Sequence, residues 1–261
     1  MKTDRTLFRA SSALLLGSLL LFVAPARAQQ SSSDHHPHWS YTGEWGPDRW
    51  GDLEPAYATC KTGKRQSPID IENAKPAALP PIRFEYQVSP LRIINNGHTI
   101  QVNYEPGSTM TVGGKQYSLL QFHFHHPSEE KIGGKQYDLV AHLVHKDAEG
   151  HLAVVAILFE SGQPNPFLDL LWKNVPKEID KEVVRKKINL NAADLLPADR
   201  DYYTFAGSLT TPPCSEGVTW YVLKNPVELS PAEIATFAKW YPDNARPIQP
   251  TNGREILESK P

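Results

Sequence analysis

Cysteine is almost missing from this sequence, with only Cys60 and Cys214 among 261 residues. A fold held together by many disulfides is therefore excluded. There is no long block of lysine and arginine, and the net charge of −2 gives no electrostatic footprint for nucleic acid. No apolar run beyond the N-terminus comes near the roughly 20 residues that a membrane-spanning helix needs. No stretch rich in proline, glycine and serine divides the chain after residue 39, so one large domain is expected over 39–261. The pentapeptide GGKQY occurs at 113 and at 133, but two short copies fall below the three stacked units that a repeat fold requires.

What is present begins with an export signal. Lys2, Arg5 and Arg9 precede an apolar run from Ala10 to Val23, and ARA at 26–28 offers small residues for cleavage. A secretory signal peptide is expected over 1–28, with a periplasmic or secreted product that has no membrane span. Cutting after Ala28 removes four basic residues and one acidic residue, which moves the net charge from −2 to −5. In an oxidising compartment the two cysteines are expected to pair, Cys60 with Cys214. The polar stretch 29–38 reads as a flexible leader whose His35, His36 and His38 hold no specific ligand.

From Ile82 onward short apolar or alternating runs recur between turn signals: LRIINNGHTIQVNY, MTVGGKQYSLLQFHFH, YDLVAHLVH, HLAVVAILFE and VTWYVL. These read as strands. Asn96-Gly97, Gly113-Gly114 and Gly133-Gly134 suit tight reversals, so the sheet should be mostly antiparallel. Helical spacing is seen in FLDLLWKNV, in PKEIDKEVVRKKI and in SPAEIATFAKWY, the last opening with Ser230 as N-cap and Glu233 closing a capping box. The expectation is a mainly β, α+β domain with short surface helices.

The chemistry concentrates in QFHFHH at 121–126. On a strand, His123 and His125 project to one side while Phe122 and Phe124 project to the other. Two imidazoles there, with a third from a neighbouring strand, can hold zinc and leave its fourth tetrahedral position open, which is the arrangement of a catalytic site. Alone, H-x-H is weak, because such pairs are often merely exposed or hydrogen-bonded histidines. The third ligand should come from VAHLVH, where alternation leaves both His142 and His145 open. Counting from the repeated GGKQY gives His145 the parity of His125.

Seven ordered motifs now stand together: QSPIDI at 66, NNGH at 95, QFHFH at 121, PSE at 127, AHLVH at 141, GSLTTPPC at 207 and RPIQP at 246. With them the sequence closely resembles the alpha-class carbonic anhydrases from about Trp39 to Leu257. The resemblance implies a single domain around a large, twisted, mostly antiparallel central sheet of about ten strands, with a conical cavity ending at zinc. It implies Zn2+ held by His123, His125 and His142, with His145 turned to the opposite side of the sheet. Thr210 resembles the gatekeeper that accepts a hydrogen bond from zinc-bound hydroxide, and Glu129, rather than Glu130, takes the threonine's proton. His98 matches the proton shuttle, and Tyr41, Asn96 and Gln101 match the water path. Val144, Val154, Leu209 and Trp220 match an apolar wall for carbon dioxide, and Thr211 a contact to bicarbonate. Gln121 can accept a hydrogen bond from a ligand imidazole.

The implied activity is reversible hydration of carbon dioxide to bicarbonate and a proton, with incidental esterase activity. The partners are carbon dioxide, bicarbonate and water, and a homodimer is among the assemblies it allows. The alternative is a carbonic-anhydrase-related binding module without catalysis, from which the complete triad distinguishes this chain. A zinc hydrolase of another fold would need a motif such as H-E-x-x-H, which is absent. One departure stands out: many family members carry a glutamate two residues before the third ligand, and here that residue is Val140. Valine accepts no hydrogen bond, so His142 must turn to a backbone carbonyl, a water or another side chain, and weaker zinc retention or a changed pKa of zinc-bound water is expected relative to family members that carry the carboxylate.

Overall fold

A computed structural model describes residues 38–260. The expected signal peptide over 1–28 and all of the leader except His38 lie outside the described residues. Among the described residues thirteen strands form the main sheet, ten of them along one continuous path. In chain order these ten are β1 (Lys75–Ala77), β2 (Ser89–Asn95), β3 (Ile100–Asn103), β4 (Lys115–His125), β5 (Leu139–Lys146), β6 (Leu152–Ser161), β7 (Val183–Leu190), β8 (Tyr202–Ser208), β9 (Glu216–Leu223) and β10 (Leu257–Ser259). They lie side by side as β7-β2-β3-β4-β5-β6-β9-β8-β10-β1. Only β6 with β9 and β10 with β1 pair in parallel along this path. The fold class is thus mainly β with few short helices, as the sequence suggested.

The glycine pairs do the turning the sequence assigned to them. Gly113-Gly114 joins Thr109–Val112 to β4, and all four glycines at 113, 114, 133 and 134 have positive φ, which a side chain with a Cβ tolerates poorly. Alternation along the central strands sorts side chains onto two faces. Ala141 and Leu143 of β5, with Val155 and Ile157 of β6, join Phe122 and Phe124 in the larger core cluster. Val140 and Val144, with Val154, Ala156 and Leu158, join Trp220 in a smaller cluster on the other face.

Helices lie where two of the three helical patterns fell. Pro166–Trp172 is capped by Asn165, and Pro231–Ala238 carries the full Ser230–Glu233 capping box. The third pattern, PKEIDKEVVRKKI, is corrected: Val183–Leu190 is strand β7 at the sheet edge, antiparallel to β2. Its charges mimic the solvent face of a helix. Yet Asp180 has φ 59°, a conformation that stops a helix, and the β-branched Val183 and Val184 open the strand.

Candidate active site

Register fixes the site. On antiparallel neighbours, residues directly opposite present their side chains to the same face. Gln101 of β3, His123 of β4 and His142 of β5 stand in one row across three strands. One row over, Gln121, Val144, Val154 and Trp220 stand side by side across β4, β5, β6 and β9. His125 lies opposite Val140. Of the two histidines that alternation left open, His142 is the one on the face of His123 and His125.

His145 faces the other way. The register shifts between Val144 and His145 because β4 contributes an extra residue, Leu120, so His145 is paired with Leu119. The parity count from GGKQY fails because the two copies face opposite sides of the sheet, with Tyr117 in the larger core cluster and Tyr137 in the smaller one. His145 is fully buried, with Nε2 2.7 Å from the Tyr86 hydroxyl, and burial pushes its pKa down to about 3.

The ligating atoms of His123, His125 and His142 all lie within 4.8 Å of one another. Each ring is held through its outer nitrogen. His123 Nδ1 donates to Gln121 Oε1 at 2.9 Å, and His125 Nδ1 donates to the Asn244 carbonyl at 2.8 Å. His142 Nε2 faces both oxygens of Glu130 at 3.1 Å. Those acceptors fix the tautomers, leaving lone pairs on His123 Nε2, His125 Nε2 and His142 Nδ1 to converge. His125 Nε2 is buried with no hydrogen-bond partner among the described residues, as expected of an atom meant for a metal. Burial lowers the pKa of His123 to about 3 and that of His125 well below the ordinary value, which keeps both rings in the neutral form that ligates.

Glu129 and Glu130 are both buried, not solvated. Glu129 accepts the Arg246 backbone N–H at 2.8 Å, and the Thr210 hydroxyl favours its charged form. Burial nonetheless raises its pKa to about 8. Thr210 itself is buried. The triad lies in a cavity of about 250 Å³. Its lining includes the apolar Val144, Val154, Leu209 and Trp220, the hydroxyl-bearing Thr210 and Thr211, and the polar Tyr41, Asn96, His98 and Gln101. Gln101 is hydrogen-bonded to Asn103 at 2.6 Å. His98 is half-buried, which lowers its pKa, and its ring stacks on Trp39 with centroids 3.7 Å apart.

The family model for eukaryotic-type carbonic anhydrase matches residues 45–260. The chain belongs to this carbonic anhydrase family. It is 41% identical to a carbonic anhydrase of Nostoc sp. over 97% of this chain and 98% of that one, and 47% identical to one of Klebsiella pneumoniae over 85% and 91%. A solved hyperthermostable carbonic anhydrase from a hydrothermal vent chimney superposes with a TM-score of 0.83 at 49% identity, covering 85% of this chain and all of that one. Family and fold together support carbon dioxide hydration as the activity of this carbonic anhydrase.

Several residues of the carbonic anhydrase site were not singled out from sequence. Asn244 holds His125 through its carbonyl, receives the His126 N–H on Oδ1 and donates to the His98 and Phe124 carbonyls. Nothing in its neighbourhood of the sequence marks it. Arg246, quoted only within RPIQP, is buried and ties Gln66, Ser67 and Cys60 through its guanidinium while its backbone holds Glu129. Burial lowers its pKa to about 10. The other omission is Glu130, the acceptor that Val140 could not provide.

Proposed function

We propose that this chain hydrates carbon dioxide reversibly to bicarbonate and a proton, using a zinc ion held by His123 Nε2, His125 Nε2 and His142 Nδ1. The observation that carries this reading is the convergence of three imidazole nitrogens within 4.8 Å at the cavity floor, one of them buried and otherwise unbonded. As established for carbonic anhydrases, zinc so bound acidifies water to a pKa of about 7 and so provides a nucleophile at neutral pH.

The side chains around the triad supply orientation. Thr210 has one hydroxyl proton, and donating it in a hydrogen bond to an ionised Glu129, which a cation at the triad would favour against the effect of burial, leaves its oxygen as an acceptor toward the cavity, which would aim the nucleophile's lone pair at the substrate. The Arg246 N–H keeps the carboxylate of Glu129 in place for that task. Val144, Val154, Leu209 and Trp220 give a small, linear, uncharged substrate an apolar seat from which it displaces no strongly held water. Thr211 contacts the bicarbonate that forms. His98 takes up the proton and passes it outward, a task for which imidazole is the usual side chain because its unperturbed pKa is about 6.5, although burial lowers that of His98. Tyr41, Asn96 and Gln101 order the water between it and the reaction. Activated esters small enough to enter would be hydrolysed as a side reaction. The basic, then apolar, N-terminal stretch supports export of the mature enzyme. Among the described residues no helix is long and apolar enough to cross a membrane.

Stopped-flow measurement of carbon dioxide hydration by residues 29–261 tests the proposal. Activity should track one zinc per chain, vanish when a chelator strips the metal and return when zinc is restored. Full activity in a chain shown by elemental analysis to hold no metal would overturn it.

A further inference from the structure

Strand alternation puts Val140 on the same face as His142, two residues before it and opposite His125, where a carboxylate would be within reach of the ring. Val140 is instead fully buried in the smaller apolar cluster, with Ile69, Tyr137 and Leu158. The negative charge next to His142 comes from another part of the chain. Glu130 lies in the loop after β4 and is wholly buried. That loop is pinned: Ser128 Oγ donates to the Glu130 carbonyl at 2.8 Å and accepts the Tyr137 N–H at 2.9 Å. Lys131 then pairs with Asp70 in parallel.

Among the described residues, His142 Nε2 is the one hydrogen-bond donor recorded for the Glu130 carboxylate, with both oxygens at 3.1 Å. A buried carboxylate is costly unless it is paired. Here its pairing partner is a ring whose other nitrogen points at the triad. A carboxylate behind a ligand imidazole fixes the ring's tautomer and orientation and raises its basicity toward the metal. We propose that Glu130 is the positioning residue for His142, replacing in space the carboxylate that Val140 leaves out, and that it sets how tightly the triad retains its metal. This rests on the reading of the triad as a zinc site.

The test uses the zinc-loaded chain and reads metal release rather than turnover. Zinc transfer to a chromogenic chelator should be faster by about 10 to 100-fold in Glu130→Gln, which keeps the shape but not the charge. Moving the carboxylate back, as Glu130→Val with Val140→Glu, should release zinc more slowly than Glu130→Val alone. Release from Glu130→Gln at the wild-type rate, or a double variant no better than Glu130→Val, would overturn the assignment of Glu130 while leaving the zinc reading intact. A wild-type chain that takes up no zinc would overturn the zinc reading instead.

Discussion

His98 stacks on Trp39 at an interplanar angle of 8°, and the ring of His38 lies 5.9 Å from it. Burial lowers its pKa first and the like charge of His38 lowers it further, with Asp180 opposing. Removing His38 takes away one of the two depressing influences, so His38→Ala should raise the His98 pKa, as followed by the imidazole proton shift in an NMR titration. If His98 moves the proton in the proposed role, His98→Ala should lower kcat on the order of 100-fold, the low end of what a positioned proton-transfer group contributes. The ratio kcat/KM should hold, since export of the proton follows release of bicarbonate, and added imidazole buffer should restore kcat. At this scale His123 and His125 were legible because spacing two on a strand dictates a common face, whereas alternation left His142 and His145 both open and only the family resemblance singled out His142. Glu130 was not legible. Two adjacent glutamates in a loop follow no period, so their reach depends on where the loop is pinned. Trp39 was equally hidden, because an aromatic residue near a polar leader carries no sign of the ring it will cover.

The turn between β5 and β6 is closed by charge. Asp147 Oδ2 meets Lys115 Nζ at 2.5 Å and His151 Nδ1 at 3.0 Å, linking this turn to the start of β4. The carboxylate is covered, with a side chain only 1% exposed. Burial works against its charge, while the hydrogen bonds from Lys115 and His151 outweigh that and hold its pKa below the usual aspartate value. A depressed folded pKa means the stabilisation is complete above the unfolded value of about 3.9 and disappears as pH falls through the folded one. Asp147→Asn should therefore melt below wild type at pH 5 to 7, and the gap in Tm should close on acidification below about pH 4. A gap constant across that range would show that the ionised carboxylate is not what holds the turn. Legibility among elements followed the same divide between local and distant causes. The strands flanking the glycine pairs could be read because turn chemistry and alternation are local. Strand β7 was misread because its pairing with β2 breaks between Arg185 and Asn189 at the sheet edge, leaving the consecutive charged residues Arg185 to Lys187 exposed where alternation would have marked a strand.

Across the whole molecule, the sequence could suggest a large antiparallel sheet but not which strands meet. β6 pairs with β9 in parallel, and β10 reaches back to β1 near the start of the domain; neither pairing leaves a trace in local sequence. The expected pairing of Cys60 with Cys214 is present, joining residues 154 apart in sequence. It ties the N-terminal segment, where Trp50 and Tyr57 pack around it, to the loop that carries Thr210 and Thr211. Closing a loop of that length removes unfolded-chain entropy equivalent to about 5 kcal/mol in the chain-entropy model, with measured values commonly nearer 2–4. The folded loop has other ties: Gln66 donates to the Cys214 carbonyl at 3.1 Å, Arg246 to the Cys60 carbonyl at 3.0 Å, and the Cys214 N–H to the Thr211 carbonyl at 2.8 Å. The disulfide should thus act mainly on the unfolded state and leave the cavity in place. Cys60→Ser with Cys214→Ser should lose about 2–5 kcal/mol in urea unfolding, with an increased m-value as the unfolded chain expands. Carbon dioxide hydration per folded, zinc-loaded molecule should stay near wild type. Unfolding midpoints that coincide would show that the crosslink constrains little, and a folded variant with collapsed activity would show that it shapes the Thr210 loop directly.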